Sequence, residues 1–151
     1  MPTHSETRQL PYSAQQMYDL VADVGKYPEF LPWTAAARIR SNEDRGDHWV
    51  MDADLVISFK VFRERFTSRV VLWPEQRKID TEYLDGPFKY MVSNWHFEDS
   101  AQGCAVQFHV DFEFRNAILQ KIIGVVFNEA MQRVVRAFEQ RAKALYGAQT
   151  Q

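Results

Sequence analysis

The feature that most constrains the fold is a stretch near the end of the chain, from Asn116 to Tyr146, that reads as one uninterrupted helix. Apolar residues recur in it every three or four positions, which places them on one side of a 3.6-residue repeat. They are Leu119, Ile123, Val126, Phe127, Ala130, Val134, Phe138 and Leu145. Asn116 can cap the first turn, and Gly147 follows as a helix-ending glycine. A helix of roughly 45 Å is longer than one small helix can cover, so it needs a sheet as its partner.

The chain over residues 33–114 reads almost entirely as β-strands, because apolar and polar residues alternate and Gly, Pro, Asp or Asn mark the turns. We predict turns at 42–46 and 85–87. In the strand that follows the second turn the parity of the apolar residues changes, which predicts a β-bulge near Ser93–Asn94. The last strand alternates most cleanly, and its inward-facing residues are Val106, Phe108, Val110, Phe112 and Phe114.

The residues before this sheet predict an edge strand at Thr3–Leu10 and then a short helix. Ser13 and Gln16 have the form of a capping box, and we expect the helix that begins there to end at Gly25. Residues 27–33 follow, where two prolines bracket an apolar cluster and permit one helical turn at most. This order predicts an α+β helix-grip fold, with a curved antiparallel sheet of about six or seven strands wrapped around the long helix and two short helices after the first strand. Such a sheet cannot close fully on the helix, so we expect a cavity between them with loop 27–33 at its mouth.

The length of the chain suits one domain. A chain of 151 residues can bury a sufficient core without a disulfide or a metal, and we assign residues 1–147 to this domain and 148–151 to a short tail. Cys104 is the only cysteine, which excludes an internal disulfide. A net charge of −2 gives no overall attraction to nucleic acid. No secretory signal and no run of about 18 apolar residues occurs, so we expect a cytoplasmic protein.

The sequence contains no pattern typical of a catalytic or metal site. The four histidines lack the spacing of metal ligands. A Gly-x-Ser-x-Gly elbow, a phosphate-binding glycine loop and a dinucleotide fingerprint are all absent. We therefore predict a protein that is not an enzyme, with no catalytic residue, no metal and no covalent cofactor.

Four motifs stand in order along the chain: YPEFLPW at 27–33, FTSRV at 66–70, GPF at 86–88 with NWHF at 94–97, and FEFRN at 112–116. Together they resemble the coenzyme Q-binding branch of the START-like superfamily, which also contains polyketide cyclases and aromatases. Many relatives have a cysteine after the tryptophan of the first motif, where this chain has a threonine. Neither residue is needed for apolar contact, so the expectation of a hydrophobic pocket stands.

The resemblance implies a domain that binds ubiquinone or a similar polyprenyl quinone in its cavity, as a carrier or chaperone for respiratory electron transport. A peripheral contact with the inner membrane is a further expectation for such a carrier. Some bacterial members of the same branch are toxins that bind the large ribosomal subunit and block subunit association. The motifs do not separate these two functions.

The residues we expect to contact the ligand fall into three groups. They are Phe30, Leu31 and Trp33 at the mouth, Phe62, Glu64, Phe66, Phe88, Tyr90 and Phe112 on the concave face of the sheet, and Ile123, Phe127 and Met131 on the helix. Packing of the core is the alternative role for each aromatic ring. Glu64 has inward parity, where an unpaired carboxylate would be costly, so we expect either an ion pair with Arg38 or Arg115 or a contact with a ligand head group.

Charged residues on the outer face of the sheet have two interpretations. Arg63, Arg65 and Arg69 lie on one strand, and Asp52 and Asp54 lie on the strand before it. Cross-strand ion pairs on a solvated face are one interpretation. A basic strip for ribosomal RNA or anionic lipid head groups is the other.

The first half of the long helix has more apolar residues than one core-facing stripe requires, among them Ile118, Ile122 and Val125. We expect the excess to be partly exposed and to form, with residues 30–33, a patch that makes transient contact with a membrane surface. A homodimer interface is the alternative. Gly124 lies in the same half, where it costs about 1 kcal/mol relative to alanine, and close packing against the sheet or approach of a ligand would explain it.

Overall fold

The computed structural model describes residues 3–59 and 62–147, apart from the side chains of Phe59 and Phe62. The elements in chain order are β1 (Thr3–Leu10), α1 (Ala14–Ala22), a 3-10 helix (Val24–Glu29), β2 (Thr34–Asp44), β3 (Trp49–Phe59), β4 (Phe62–Trp73), β5 (Lys78–Asp85), β6 (Phe88–Ser100), β7 (Gly103–Phe114) and α2 (Ala117–Tyr146). The predicted ligand contact of the Phe62 side chain lies outside the described part of the chain.

All seven strands form one antiparallel sheet in the order β1-β7-β6-β5-β4-β3-β2. Consecutive strands from β2 to β7 are neighbours, and β1 pairs with β7, so the first and last strands lie side by side. The long helix α2 packs on the concave face through Leu119, Phe127 and Phe138. The predicted α+β architecture, a curved antiparallel sheet with a long C-terminal helix, is confirmed.

Helix α1 begins at the predicted capping box. The Ser13 hydroxyl accepts a hydrogen bond from the Gln16 amide at 3.0 Å, and the Gln16 side chain accepts one from the Ser13 amide at 3.0 Å. The predicted end at Gly25 is wrong, because α1 ends at Ala22 and Gly25 lies within the 3-10 helix. The Lys26 amide donates to the Asp23 carbonyl at 3.1 Å, so the backbone tightens into another turn where we expected it to stop.

Helix α2 has the predicted caps at both ends. The Asn116 side chain accepts from the amides of Ile118 and Leu119 at 2.9 and 3.0 Å, and Gly147 at φ 77° donates to the Lys143 carbonyl at 2.9 Å. The prediction that Leu145 faces the core is wrong, since its side chain is 53% exposed. The helical repeat instead continues from Phe138 through the buried Ala142 to the half-buried Tyr146, and the predicted face was one residue out of phase there.

Two predictions on the strands are also wrong. Strand β2 continues through the predicted turn at 42–46 as far as Asp44, which pairs with Trp49, and the turn is closed by a bond from the Arg45 amide to the His48 carbonyl at 2.8 Å. The predicted bulge at Ser93–Asn94 is absent from the described ladder, which is regular there. The irregularity lies between Phe88 and Tyr90.

Gly86, in the predicted turn at 85–87, occupies a position that excludes any side chain. Its φ is +141°, and a Cβ atom there would lie 2.6 Å from Cβ of Phe66 and 2.9 Å from the Arg65 carbonyl oxygen. The close approach allows the β5–β6 turn to lie against β4. Because Phe88 follows two residues later, this turn also sets the position of an aromatic ring on the concave face.

Candidate ligand-binding cavity

A cavity of about 290 Å³ lies between the concave face of the sheet and α2. Its volume is just below the range for ligand pockets, roughly 300–1,000 Å³. Its wall is formed by the segment 31–34, by inward residues of β3 to β7 and by α2. Most of these residues are apolar, which is the usual lining for a hydrophobic ligand.

Many of the predicted ligand residues lie on the wall of this cavity. They are Leu31, Trp33, Glu64, Phe66, Phe88, Phe112, Ile123 and Met131. The alternation of apolar and polar residues and the helical repeat place those on the sheet and on α2, and the expected position of loop 27–33 at the mouth places Leu31 and Trp33. Their contact with a ligand stays a prediction.

Phe30 and Phe127 lie behind the wall instead of on it. The Phe30 ring packs edge-on against Phe138 at 5.3 Å between centroids, and the Arg141 guanidinium lies 5.1 Å from its centroid. Phe127 is buried with its ring 5.4 Å from that of Phe112. Both rings pack against neighbours that line the cavity, so the prediction that they lie on its wall is wrong.

Tyr90 is on the convex face of the sheet, contrary to the prediction. Its hydroxyl donates to Asp111 Oδ1 at 3.3 Å, and Met91 takes the position on the cavity wall. The cause is the irregularity between Phe88 and Tyr90, which changes the inward face from even to odd residues before Tyr90 and not near Ser93–Asn94 as predicted. No feature of the sequence marks that position.

Phe88 is the centre of the aromatic floor of the cavity. Its ring stacks on Phe114 at 4.6 Å and meets Phe66 and Phe112 edge-on at 5.3 and 5.6 Å. Its carbonyl accepts a hydrogen bond from Arg115 Nε at 2.9 Å, which joins β6 to the segment between β7 and α2. Residues of three of the sequence motifs therefore meet at one place.

Hydroxyl groups interrupt the apolar wall on three neighbouring strands. Thr81 on β5 lies directly opposite Ser93 on β6, and Ser68 lies on β4. Within residues 3–59 and 62–147, none of these three hydroxyls is hydrogen-bonded to another protein group, and no fully buried side-chain polar atom lacks a partner. The hydroxyls therefore face the cavity space. We missed them because isolated Ser and Thr at inward positions do not show, without the strand register, that they converge.

The mouth of the cavity includes a strained residue. Trp33 has φ 63°, which is uncommon for a residue with a side chain, and its carbonyl accepts from the Ser58 amide at 2.8 Å. This bond ties loop 27–33 to β3. Thr34, the residue after the tryptophan of the first motif, also lines the cavity.

Glu64 lies at the cavity wall but is exposed to solvent. It opposes Ile57 across β3 and β4, whereas Arg38 opposes Asp54 and Arg115 is bonded to the Phe88 carbonyl. The predicted ion pair of Glu64 with either arginine is therefore wrong for the described part of the chain. Exposure at the mouth removes the desolvation cost that motivated the prediction.

The outer face of the sheet has only some of the predicted ion pairs. Arg69 Nε donates to Asp52 Oδ1 at 2.9 Å, and this bond holds the pKa of Asp52 below its usual value. Asp54 is paired instead with Arg40 at 2.8 Å. Burial works to raise the pKa of Asp54, but hydrogen bonds from Thr67 and Arg40 and the nearby charge of an arginine hold it low. Cross-strand pairing is thus confirmed for Arg69 and Asp52.

Three further arginines on this face, Arg38, Arg63 and Arg65, have no ion pair within the described residues.

In the described ranges no group of three His, Cys, Asp or Glu residues could hold a metal ion. None of the described helices is long and apolar enough to cross a membrane. Cys104 is buried, and burial raises the pKa of its thiol to about 11.

Comparison with known proteins identifies the family. A family model described as polyketide cyclase/dehydrase and lipid transport matches residues 10–139. The ribosome association toxin RatA of Escherichia coli (strain K12) is 40% identical over 149 residues, which cover 98% of this chain and 91% of the toxin. The mitochondrial coenzyme Q-binding protein COQ10 homolog B of Xenopus laevis is 32% identical over 151 residues, 97% of this chain and 60% of that protein.

Among solved structures, the 18 kDa protein CC1736 from Caulobacter crescentus superposes with a TM-score of 0.82 at 34% identity, with 98% of this chain and 100% of that chain covered. The match of the family model includes strands β2 to β7 and the greater part of α2, but only the last residue of β1. The chain therefore belongs to the START-like polyketide cyclase/dehydrase and lipid-transport family, in the branch that contains the RatA and COQ10 relatives.

Proposed function

We propose that this protein binds a polyprenyl quinone such as ubiquinone in the cavity under α2 and acts as a carrier or chaperone in respiratory electron transport. The observation that carries the proposal is an apolar cavity whose wall contains a small group of unpartnered hydroxyls. A quinone has the matching chemistry, with two carbonyl acceptors on a ring and a hydrocarbon tail. The name of the COQ10 relative supports the same class of ligand.

The quinone ring is proposed to lie beside the hydroxyls of Thr81 and Ser93. Because the two residues are directly opposite each other on β5 and β6, both can donate to one carbonyl oxygen, and Ser68 is on the next strand. A hydrogen bond from a hydroxyl to a carbonyl in a dry pocket fixes orientation more than it adds affinity.

The isoprenoid tail would lie along Ile123 and Met131 and leave through the mouth beside Leu31. The flexible thioether of Met131 can adapt to the irregular surface of such a chain. Since the cavity volume of about 290 Å³ is small for a ligand of this kind, we assign the cavity to the ring and the first part of the tail.

A binding role without catalysis is part of this proposal. Among the described residues that line the cavity, Glu64 is the one carboxylate, and it is exposed at the mouth. The described wall contains neither a histidine nor a cysteine that could act with it as an acid–base pair or a nucleophile. Ligand retention, rather than turnover, is therefore the property to measure.

The test is organic extraction of the purified protein followed by mass spectrometry. We expect a quinone in the parent and a clear loss in a Thr81→Val, Ser93→Ala double variant, because the ring then loses both donors. Thr7→Val, an exposed threonine on β1, is the matched control and should retain the parent's quinone content. A parent protein that holds no quinone when it is produced in cells containing one would contradict the proposal.

A second candidate function is association with the large ribosomal subunit, as a toxin-like inhibitor of subunit joining. The specific observation is that Arg38, Arg63 and Arg65 lie on the outer face of β2 and β4 and that none of them forms a salt bridge within the described residues, although the charge of Arg65 acts on the nearby Asp54. Unpaired arginines fit a phosphate backbone, and the similarity to RatA extends over 98% of this chain.

Co-sedimentation with large ribosomal subunits tests this candidate. An Arg63→Glu, Arg65→Glu variant should lose association, and binding by the parent should weaken as salt is raised, because counterion release drives contacts with phosphates. Lys78→Glu, an exposed change at the opposite end of the sheet, is the control. Equal sedimentation of all three proteins would exclude the arginine surface.

A further inference from the structure

The side of α2 that faces away from the sheet is apolar over its first turns. Val125 is 84% exposed and Ile118 is 68% exposed, and Ile122 between them is half-buried. Intervals of four and three residues place these side chains in one line, which we call the outer stripe. Exposed Ile and Val residues in line on one helix are typical of a contact surface.

The outer stripe is continuous with the cavity. By helical geometry, the half-buried Val126 lies between it and Leu119 and Ile123, which line the cavity. Lys121 and Asn128 lie on the opposite flank of the helix. An apolar surface therefore runs from the outer side of α2 around the helix to the wall of the cavity.

The charge around the outer stripe is net positive. Residues 115–128 include Arg115 and Lys121 but no Asp or Glu, and the next acidic residue, Glu129, is paired with Arg133 at 3.4 Å. We propose that the outer stripe docks on an anionic lipid bilayer, with Lys121 at the head groups, so that a ligand passes between bilayer and cavity without crossing water. This inference rests on the proposed quinone function, because the bilayer is where so insoluble a ligand resides.

A second copy of the chain is a less suitable occupant. A two-fold interface places the same surface of each copy against the other, so the basic residues Arg115 and Lys121 of both copies would approach one another with no acidic residue of 115–128 between them. An anionic bilayer instead supplies the opposite charge.

Vesicle flotation without quinone tests the docking surface. The parent should float with vesicles of phosphatidylcholine and phosphatidylglycerol and less with phosphatidylcholine alone. Val125→Glu should lower the bound fraction at least about tenfold, because it places a carboxylate in the membrane contact. Lys121→Glu should weaken binding only to the anionic vesicles. Leu145→Glu, the same kind of change at an exposed apolar residue at the far end of α2, should bind as the parent does.

The outcomes separate docking from ligand binding. Quinone added in detergent to purified, quinone-free Val125→Glu protein should be retained as it is by the parent, because docking is not needed when no bilayer separates ligand and cavity. Failure of the parent itself to retain quinone in this assay would count against the quinone function rather than against docking. Folded Val125→Glu protein that floats as well as the parent would overturn the inference. The inference would also be overturned if the parent does not bind vesicles and instead forms a dimer, or binds ribosomal subunits, and Val125→Glu abolishes that association.

Discussion

The second half of α2 is fixed by ion pairs and hydrogen bonds to three other elements, whereas the first half is held mainly by its cap and by apolar contacts. Glu139 accepts from Arg8 on β1 at 2.6 Å, and Arg141 pairs with Glu29 of the 3-10 helix at 2.9 Å. The Tyr146 hydroxyl donates to the Gln16 carbonyl of α1 at 3.0 Å. The first half has the Asn116 cap and the Gln120 side chain, which accepts from the Phe114 amide.

The two halves of α2 are therefore held in place by different kinds of contact. Directional polar bonds fix the position of the second half, whereas the first half is held by non-directional apolar contacts, which tolerate small displacements more readily. The first half is also the part that forms the outer stripe and the cavity wall at Leu119 and Ile123. The helix therefore combines an anchor with a surface that can accommodate a ligand.

The largest effect we expect is from Phe138→Ala in the anchored half. Phe138 is 4% exposed, and its ring meets Tyr27, Phe30 and Trp95 at centroid distances of 5.5, 5.3 and 5.1 Å. Loss of the ring should lower the free energy of unfolding by about 3–5 kcal/mol, measured by urea denaturation. Phe127→Ala in the first half is the matched variant and should cost less, because that ring has fewer aromatic contacts. An equal or larger cost at Phe127 would contradict the division of the helix.

A smaller effect concerns the charged cluster through which β1 holds the second half of α2. Burial works to raise the pKa of Glu6, but hydrogen bonds and charges from His4 and Arg8 hold it below its usual value. A carboxyl whose pKa is lower in the folded state contributes stability above its unfolded pKa, near 4.5, and that contribution is lost as pH falls through the folded pKa.

The urea midpoint of the parent should therefore fall more steeply below about pH 4.5 than that of Glu6→Gln, which lacks this titration. The two proteins are compared across this range in the same buffer, so that the other carboxyls contribute equally. Parallel curves for the two proteins would show that Glu6 does not contribute to the anchor.

The elements that the sequence predicted best are those in which one period runs without interruption. In β7 the predicted inward residues, from Val106 to Phe114, are all buried, because the ladder to β6 is regular from Tyr90 onward. In β6 the predicted change of parity was too late, because Val92 is apolar but 42% exposed and so makes the even-numbered inward face appear longer than it is. A prediction from alternation assumes that every apolar residue faces inward. An apolar residue on the outer face is then assigned to the inner face, and the predicted position of the bulge moves.

The candidate site was predicted in part for the same reason. Its apolar wall follows from alternation, whereas the convergence of Thr81 with Ser93 depends on the register between β5 and β6. Register is a property of two strands and of the turn between them, so the sequence of one strand does not contain it. Aromatic residues in the second layer, such as Phe30 and Phe127, differ from wall residues only by the depth of their packing.

The smallest effect we expect is a gain in stability from Gly124→Ala, in the less constrained half of α2. The expectation that Gly124 allows close packing is wrong, because a Cβ atom there would meet nothing within 4 Å. Alanine should therefore stabilise the helix interior by about 1 kcal/mol and raise Tm by about 2–4 °C in thermal denaturation. If the freedom of this half serves the cavity, the same variant should also exchange quinone with vesicles more slowly than the parent. Ala144→Gly, at an exposed position in the anchored half, gives the reverse backbone change and should lower Tm without slowing exchange. If both variants exchange quinone more slowly, or if neither does, the backbone freedom of the first half does not control ligand transfer.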